Sequence, residues 1–410
     1  MKFHFIGIGG AGMAPLAELT LRRGHRVSGS DLTDNAKCRH LRELGATVAV
    51  GHAPENLPPD TDLAVYSSAV GPDNCERRRA AALGLEQLRR GEYLARFAAG
   101  YRRCVAVTGS HGKSSITALL TMILRQCGFD PGFMVGAAVR DLPVCAAGDG
   151  DIFVTEADES DGTHTELRNF LAVIPNVEDD HAWSVGGTAA LDANFRTVAA
   201  NSERLIYYAS PRCDALFGGH PQAERLAETP ERFAGLYGFQ AENALLACRA
   251  AIRLGCDPEA ARRAAAHYPE VARRMSVRAA FDRVTVIEDY AHHPTEVRCA
   301  LALLRRQYPQ CHLRVVFQPH RFARLERYFA DFVRELRTAD SCFILPVFAA
   351  WSERGQVDGA ALARACGAKY LDAPYPEAAR TVLNALPRPA VLAVLGAGDC
   401  EELLPYLTRG

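Results

Sequence analysis

The 410-residue chain has only two tryptophans and five methionines. No window of it approaches ~18 uninterrupted apolar residues, so no membrane-spanning helix is expected. Neither sign of charge is in excess: 47 Lys and Arg against 48 Asp and Glu leave a net charge of −1. That removes the electrostatic footprint of a general nucleic-acid binder. The 13 cysteines are odd in number and scattered, and no Cys-x-x-Cys pair occurs. This argues against a disulfide framework and for free thiols in a reducing cytosol. Low-complexity tracts and short repeats are absent. No basic stretch precedes an apolar run at the start, so no signal peptide is expected.

What is present is the composition of a soluble globular protein, 48% hydrophobic and 23% charged. The length suggests two or three domains. The richest stretch is Cys104-Val-Ala-Val-Thr-Gly-Ser-His-Gly-Lys-Ser-Ser115. An apolar strand enters a Gly-rich turn, followed by a Lys, two hydroxyls and an apolar helix. Such a loop wraps phosphates with its backbone N–H groups, its Lys and a Mg²⁺-facing hydroxyl. The match is partial, because Val107 stands where the full motif has its first Gly. The alternative is a purely structural βα turn.

A second glycine turn, Gly7-x-Gly9-x-x-Gly12, follows a short apolar strand and precedes an Ala/Leu-rich helix. A further strand then ends at Asp31. Taken alone, this dinucleotide pattern suggests NAD or FAD and a nicotinamide-dependent oxidoreductase. A nucleotide-sugar diphosphate presents the same pyrophosphate, and the oxidoreductase reading leaves residues 104–115 unexplained. Asp31 either binds a ribose hydroxyl or caps the next helix.

Apolar strands are expected at 63–70, 151–156, 170–176, 284–288, 313–317, 341–345 and 390–395, with helical patterns between them. The alternation implies an α/β chain with parallel sheets covered on both faces. Polar clusters stand at several strand ends. Glu156-Ala-Asp-Glu-Ser-Asp161 is either a Mg²⁺–nucleotide site or a solvated acidic turn. In Asn176-Val-Glu-Asp-Asp-His181, His181 is either a cation ligand or a surface residue. Glu288-Asp-Tyr-Ala-His-His-Pro294 and Phe317-Gln-Pro-His-Arg321 complete the set. Zinc is disfavoured, since no third soft or imidazole ligand stands at a convincing spacing.

The order of these motifs over nearly the whole chain resembles the Mur ligases, ATP-dependent amide-forming enzymes of peptidoglycan assembly. Gly7-Ile-Gly-Gly-Ala-Gly-Met13, Ser67-Ser-Ala-Val70, Thr108-Gly-Ser-His-Gly-Lys-Ser114, Glu156–Asp161, Asp180-His181, Arg273-Arg274, Asp289–Glu296, Phe317–Arg321 and Leu395-Gly-Ala-Gly-Asp399 carry the resemblance. The His-His-Pro and Gln-Pro-His-Arg pair points to the muramate branch. The resemblance implies three domains: a Rossmann-like UDP-sugar domain (1–100), a central P-loop ATPase domain (101–271) and a Rossmann-like domain for the incoming amino acid (272–410).

It also implies residue roles. Gly7, Gly9, Gly10, Gly12, Met13, Asp31, Ser67 and Ser68 would hold the sugar nucleotide. Gly109, Ser110, His111, Gly112, Lys113, Ser114, Ser115 and Asn243 would hold ATP, with Arg274 and Asp289 closing on it. Ser114, Glu156 and His181 would bind Mg²⁺. The catalytic set would be Lys113, Glu156, His181, Arg274 and Asp289. His292, His293, His320 and Arg321 would line the amino-acid side. The implied reaction joins L-alanine to the lactyl carboxylate of UDP-N-acetylmuramate at the expense of ATP, in the cytoplasm. A tripeptide ligase of cell-wall recycling and a non-catalytic binding relative are the alternatives. No nucleic-acid partner and no membrane insertion are implied, and oligomeric state has no sequence signal.

Several positions depart from the family pattern. Gly238-Phe-Gln-Ala-Glu-Asn243 is one residue shorter than the usual adenine-side segment and has Gln240 at its first Asn position. Met275 follows the Arg pair in place of Phe, and Glu288 replaces an Asp. Ala182-Trp183-Ser184 follows His181 in place of the usual acid and Tyr. The stretch from His181 to Arg274 is shortened.

Overall fold

The computed structural model describes residues 1–180, 182–227, 233, 235–350 and 354–408. The chain divides into two compact units, Met1–Pro269 and Glu270–Gly410.

The first unit carries two sheets. Strands β1 (Lys2–Ile6), β2 (Arg26–Asp31), β3 (Thr47–Val50), β4 (Leu63–Tyr66) and β5 (Glu86–Arg89) form a parallel sheet in the order 3-2-1-4-5. The order reverses beside β1, so the glycine turn after it opens into the crevice where α/β sheets bind ligands.

The second sheet holds β6 (Arg103–Val107), β7 (Gly132–Met134), β8 (Cys145–Ala146), β9 (Ile152–Glu156), β10 (Asn169–Ile174), β11 (Ser202–Tyr208) and β12 (Ala223–Leu226). Their order is 12-11-10-6-9-7-8, parallel except for β8 at one edge. The helix Arg90–Ala98 packs between the two sheets. Tyr93 lies 5.4 Å from Phe3 and 5.7 Å from Phe5 in ring centroids, and Phe97 lies 5.5 Å from Phe153. One apolar core thus contains residues of both sheets.

The second unit has a single sheet of β13 (Ser276–Phe281), β14 (Val284–Asp289), β15 (His312–Phe317), β16 (Ser341–Ile344), β17 (Lys369–Tyr370) and β18 (Ala390–Leu395). It runs 13-14-18-15-16-17, with only β13 antiparallel. β18 is buried along its whole length, as expected for a central parallel strand.

Under the first sheet lies a buried polar network. The Glu76 side chain, wholly inaccessible, accepts from Ser30 Oγ (2.5 Å), His4 Nε2 (3.1 Å), Asn56 Nδ2 (2.9 Å) and Ala53 N (3.1 Å). Ser30 in turn offers its carbonyl to the N–H groups of Gly7 and Ile8 at 2.8 and 3.0 Å, so the network reaches the glycine turn. Burial pushes the Glu76 carboxyl up, but the hydrogen bonds from His4, Ser30 and Asn56 outweigh it and hold the group at about 2, against a usual 4.5. A depressed carboxylate stabilises the fold above its unfolded value and loses that contribution as pH falls through the folded one. A shift of this size corresponds to about 3 kcal/mol. Glu76→Gln is therefore expected to lower Tm at pH 7. It should also flatten the acid limb of the stability curve between pH 4.5 and about 2. Melts followed by circular dichroism across that range check this; an unchanged acid limb contradicts it.

His164 shows the opposite situation. It is fully buried, its ring lies 5.1 Å from that of Phe195, and Asp158, Lys113 and Asp161 stand around it. Burial drives its pKa down to about 4, so the imidazole is neutral at pH 7.

Candidate active site

The phosphate-type loop connects β6 to the helix Lys113–Gln126. Gly109 (φ +129°) and Gly112 (φ +89°) occupy the left-handed region. A Cβ on Gly109 would lie 2.6 Å from the Asn176 carbonyl oxygen, and one on Gly112 would lie 2.7 Å from Asn243 Oδ1. Glycine is thus required by both conformation and space. Asn176, just past β10, clamps the loop: its Oδ1 accepts from His111 N (2.8 Å) and its Nδ2 donates to His111 O (3.2 Å). Ser110 Oγ accepts from Glu178 N at 2.8 Å. Asn243 stands beside the loop with its amide donating to Tyr268 Oη at 2.9 Å. Ser115 is buried in the helix.

Lys113 Nζ donates to Gly109 O (2.7 Å) and to Glu159 Oε2 (2.7 Å). Burial alone would lower its pKa, but Glu159, Asp158 and Glu156 outweigh that and raise it. The ammonium is therefore charged at any working pH. Ser114 Oγ donates to Glu156 Oε2 at 3.1 Å, and the Gly136 N–H donates to Glu156 Oε1. Burial raises the Glu156 carboxyl, while Gly136, Lys113 and Ser114 pull the other way. Ser114 and Glu156 thus present hard oxygen donors at the N-terminal turn of the phosphate helix, a set that fits Mg²⁺. His181, the third residue expected there, lies outside the described residues; its neighbour Asp180 is buried.

The glycine turn after β1 ends at Gly12, the N-cap of the helix Met13–Arg22. Gly9 N donates to Asp31 Oδ2 at 2.9 Å. Of the two readings for Asp31, capping fails: the next helix, Ala36–Glu43, is capped by Asn35, which accepts from Lys37 N and Cys38 N. Asp31 instead ties the end of β2 to the turn. Ser67 packs against Gly7, and Met13 is buried beneath the turn next to Gly10.

Ser68, together with Arg90 and Thr163, neither of them singled out from sequence, joins the turn to the acidic cluster. Ser68 Oγ lies 3.5 Å from Asp161 Oδ2. Arg90 Nη2 donates to that same oxygen at 2.5 Å and to Thr163 Oγ1 at 3.0 Å. Arg90 and Thr163 act across more than 70 residues of sequence, so no local pattern announces them; the basic pair at the end of β5 is the one available signal.

In the second unit, Asp289 ends β14 and accepts from Met275 N (2.7 Å) and Ala291 N (2.8 Å). Burial raises its pKa to about 6, against the opposing pull of Arg274. Arg274 Nη1 donates to Glu296 Oε1 at 3.0 Å, and the two arginines of the pair lie 4.9 and 5.3 Å from the Tyr290 ring. Arg273 reaches Glu288 at 2.9 Å and the Gly396 carbonyl at 2.9 Å, bracing the Gly-Ala-Gly-Asp loop.

His292 and His320 are brought together, with ring centroids 5.7 Å apart. His320 also stacks on Phe348 at 5.6 Å, and its Nδ1 lies 2.9 Å from Arg324 Nη1. His293 is placed differently: it is buried, it N-caps the helix Pro294–Gln307, and its ring meets Tyr328 at 4.6 Å. Arg321 sits at φ +68° with its N–H donating to Phe348 O at 2.8 Å.

Comparison with known proteins matches this architecture. Residues 2–102 fit the Mur ligase family catalytic domain, and residues 273–399 fit the Mur ligase glutamate ligase domain. The chain is 34% identical to UDP-N-acetylmuramate--L-alanine ligase of Aquifex aeolicus, covering 98% of this chain and 97% of that one. It is 35% identical to the protein of that name from Renibacterium salmoninarum, covering 98% and 94%. Among solved structures, UDP-N-acetylmuramate-alanine ligase from Thermotoga maritima superposes with a TM-score of 0.80 at 24% identity, over 99% of this chain and 98% of that one. A murein peptide ligase from Psychrobacter arcticus gives 0.68 at 19% identity, over 100% and 99%. With full-length relatives at this identity, and with the phosphate loop, acidic cluster and glycine turn in place, the chain belongs to the Mur ligase family.

Proposed function

We propose that this protein is an ATP-dependent ligase that joins L-alanine to the lactyl carboxylate of UDP-N-acetylmuramate, in the cytoplasmic stage of peptidoglycan synthesis. The observation that carries this reading is the continuous polar track in the first unit. It runs from Lys113, Ser114 and Glu156 through Glu159 and Asp161 to Arg90 and the glycine turn. Such a track suits one nucleotide triphosphate and one nucleotide diphosphate sugar with their reacting ends toward each other. The near-full-length identity to ligases named for these substrates supports it. No described helix is long and apolar enough to cross a membrane.

On this reading Gly7, Gly9, Gly10 and Gly12 receive the UDP diphosphate at the helix N-terminus, with Asp31, Ser67 and Ser68 alongside. The loop 109–115 takes the ATP phosphates, and Asn243 shapes that loop. Ser114 and Glu156 would hold Mg²⁺, which supplies charge neutralisation on the phosphates. Lys113 places its fixed positive charge where the transferring phosphoryl group gains negative charge. The lactyl carboxylate oxygen attacks the γ-phosphorus, and ADP leaves. The alanine nitrogen then attacks the acyl carbon, its proton is lost, and inorganic phosphate departs. Arg274 and Asp289 are assigned to ATP, and His292, His293, His320 and Arg321 to the amino acid. The functional division is 1–100, 101–271 and 272–410.

The acyl phosphate gives a direct test. With Mg²⁺-ATP and UDP-N-acetylmuramate but no amino acid, hydroxylamine should trap a hydroxamate of the sugar nucleotide, detected by mass. Hydroxamate formation without ATP, or none with it while alanine ligation proceeds, contradicts the route.

A further inference from the structure

Two cations stand at the two phosphate cradles of the first unit, and each is held by an acid of the same short turn. Lys113 is paired with Glu159, whose side chain is only 1% exposed. Arg90 is paired with Asp161, two residues further on, with side chains 15% and 17% exposed. The guanidinium of Arg90 lies directly against the glycine turn: a Cβ on Gly12 would come within 2.6 Å of Nη1. The helix that carries Arg90 is seated on the acidic turn, since a Cβ on Gly91 would meet Thr163 Oγ1 at 2.8 Å.

The acidic turn is tied to itself. Ser160 N donates to Asp158 Oδ1 (2.9 Å), Gly162 N to Glu159 O (3.4 Å) and Thr163 N to Asp161 Oδ1 (3.1 Å). Arg89 grips it from the same side, donating to Asp161 O at 3.0 Å. Glu159 and Asp161 therefore cannot shift independently. A di- or triphosphate carries more charge than a carboxylate, and a guanidinium fork binds phosphate oxygens bidentately. Each nucleotide that enters its cradle competes with the acid already there.

We infer that Arg90 is a binding residue for the diphosphate of the sugar nucleotide, and that Asp161 and Glu159 are counterions given up together. Diphosphate takes Arg90 from Asp161; triphosphate takes Lys113 from Glu159. Displacing either acid loosens the turn that restrains the other, so the two nucleotides bind with positive coupling. This rests on the assignment of the glycine turn to the UDP diphosphate and of residues 109–115 to ATP. Linkage requires the coupling to be equal in both directions.

The test uses the full chain, UDP as the diphosphate probe and Mg²⁺ with a non-hydrolysable ATP analogue, by titration calorimetry. In the unaltered protein, saturating UDP should tighten the analogue by about 5–50-fold, and saturating analogue should tighten UDP by the same factor. Arg90→Gln should weaken UDP at least about tenfold, the scale for losing a charge-assisted phosphate contact. Arg90→Lys should restore part of that binding. Asp161→Asn, nearly isosteric, should tighten UDP and leave coupling below about twofold. Analogue affinity indifferent to UDP in the unaltered protein, or full coupling retained in Asp161→Asn, overturns the inference. Failure of UDP to bind the unaltered protein at all removes instead the reading of the glycine turn, so the two failures are distinct.

Discussion

Replacing Lys113 by alanine is expected to lower turnover by about 10²–10³-fold or more, the scale for removing one electrostatic stabiliser of the transition state. The ammonium is fixed by the Gly109 carbonyl and Glu159, both at 2.7 Å, and its raised pKa keeps it charged. Its charge acts most where the phosphoryl oxygens gain theirs, so kcat falls further than the affinity for ATP. Removal also leaves Glu159, 1% exposed, without its cation. The variant is therefore expected to lose some stability, and a melt must accompany the kinetics. Lys113→Arg keeps the charge but not the compact ammonium, and should recover stability more than turnover. A Lys113→Ala protein that melts normally and turns over within tenfold of the unaltered enzyme would remove Lys113 from the mechanism.

The second large effect is expected at Gly109. Its φ of +129° is strained for any residue with a side chain, and a Cβ would stand 2.6 Å from the Asn176 carbonyl oxygen, a backbone atom that cannot rotate away. Gly109→Ala must therefore move the loop by a fraction of an ångström or displace Pro175 and Asn176, and Asn176 clamps His111. Displacement of a phosphate-binding backbone by about 1 Å costs on the order of 10² in rate. The expected result is a loss of that order in kcat/KM for ATP, with UDP affinity changed less than twofold because the glycine turn after β1 is untouched. Substrate kinetics and UDP titration on one preparation separate the two; equal losses for both ligands would mean global damage rather than a loop effect.

Much of this architecture is legible in the sequence where the signal is local. The strands at 152–156, 284–289, 312–317 and 390–395 are short apolar runs bounded by polar turns, and they fold as parallel strands with polar clusters at their C-terminal ends. The phosphate loop is legible because the Gly-x-x-Gly-Lys spacing encodes backbone conformation directly. β13 is harder to read: Ser276–Phe281 contains a register irregularity between Val277 and Ala279 that breaks alternation. It also follows Arg273 and Met275, both at positive φ. The expected strand at 63–70 stops at Tyr66, because Ser67–Val70 closes a turn in which Val70 N donates to Ser67 O.

At the site, the residues that sequence reading misses act over distance. Arg90 meets Asp161 across 71 positions. Asn176, noted only as the start of a motif, clamps His111 across 65. Asp31 supports the glycine turn through Gly9 instead of capping a helix, because Asn35 already fills the cap. His293 sits beside His292 in sequence, yet it turns inward as a helix cap while His292 faces His320. Vicinal residues at a strand–helix junction point in different directions, so adjacency in sequence does not give the two side chains the same surroundings.

L-alanine ligation is read out by ADP release from the purified protein with Mg²⁺-ATP and UDP-N-acetylmuramate, with and without L-alanine, followed by mass analysis of the product. Release should depend on alanine, and the product should be heavier than the sugar nucleotide by one alanine residue. Release that responds to the cell-wall tripeptide and not to alanine, or none with either amine while UDP-N-acetylmuramate still binds, would contradict it.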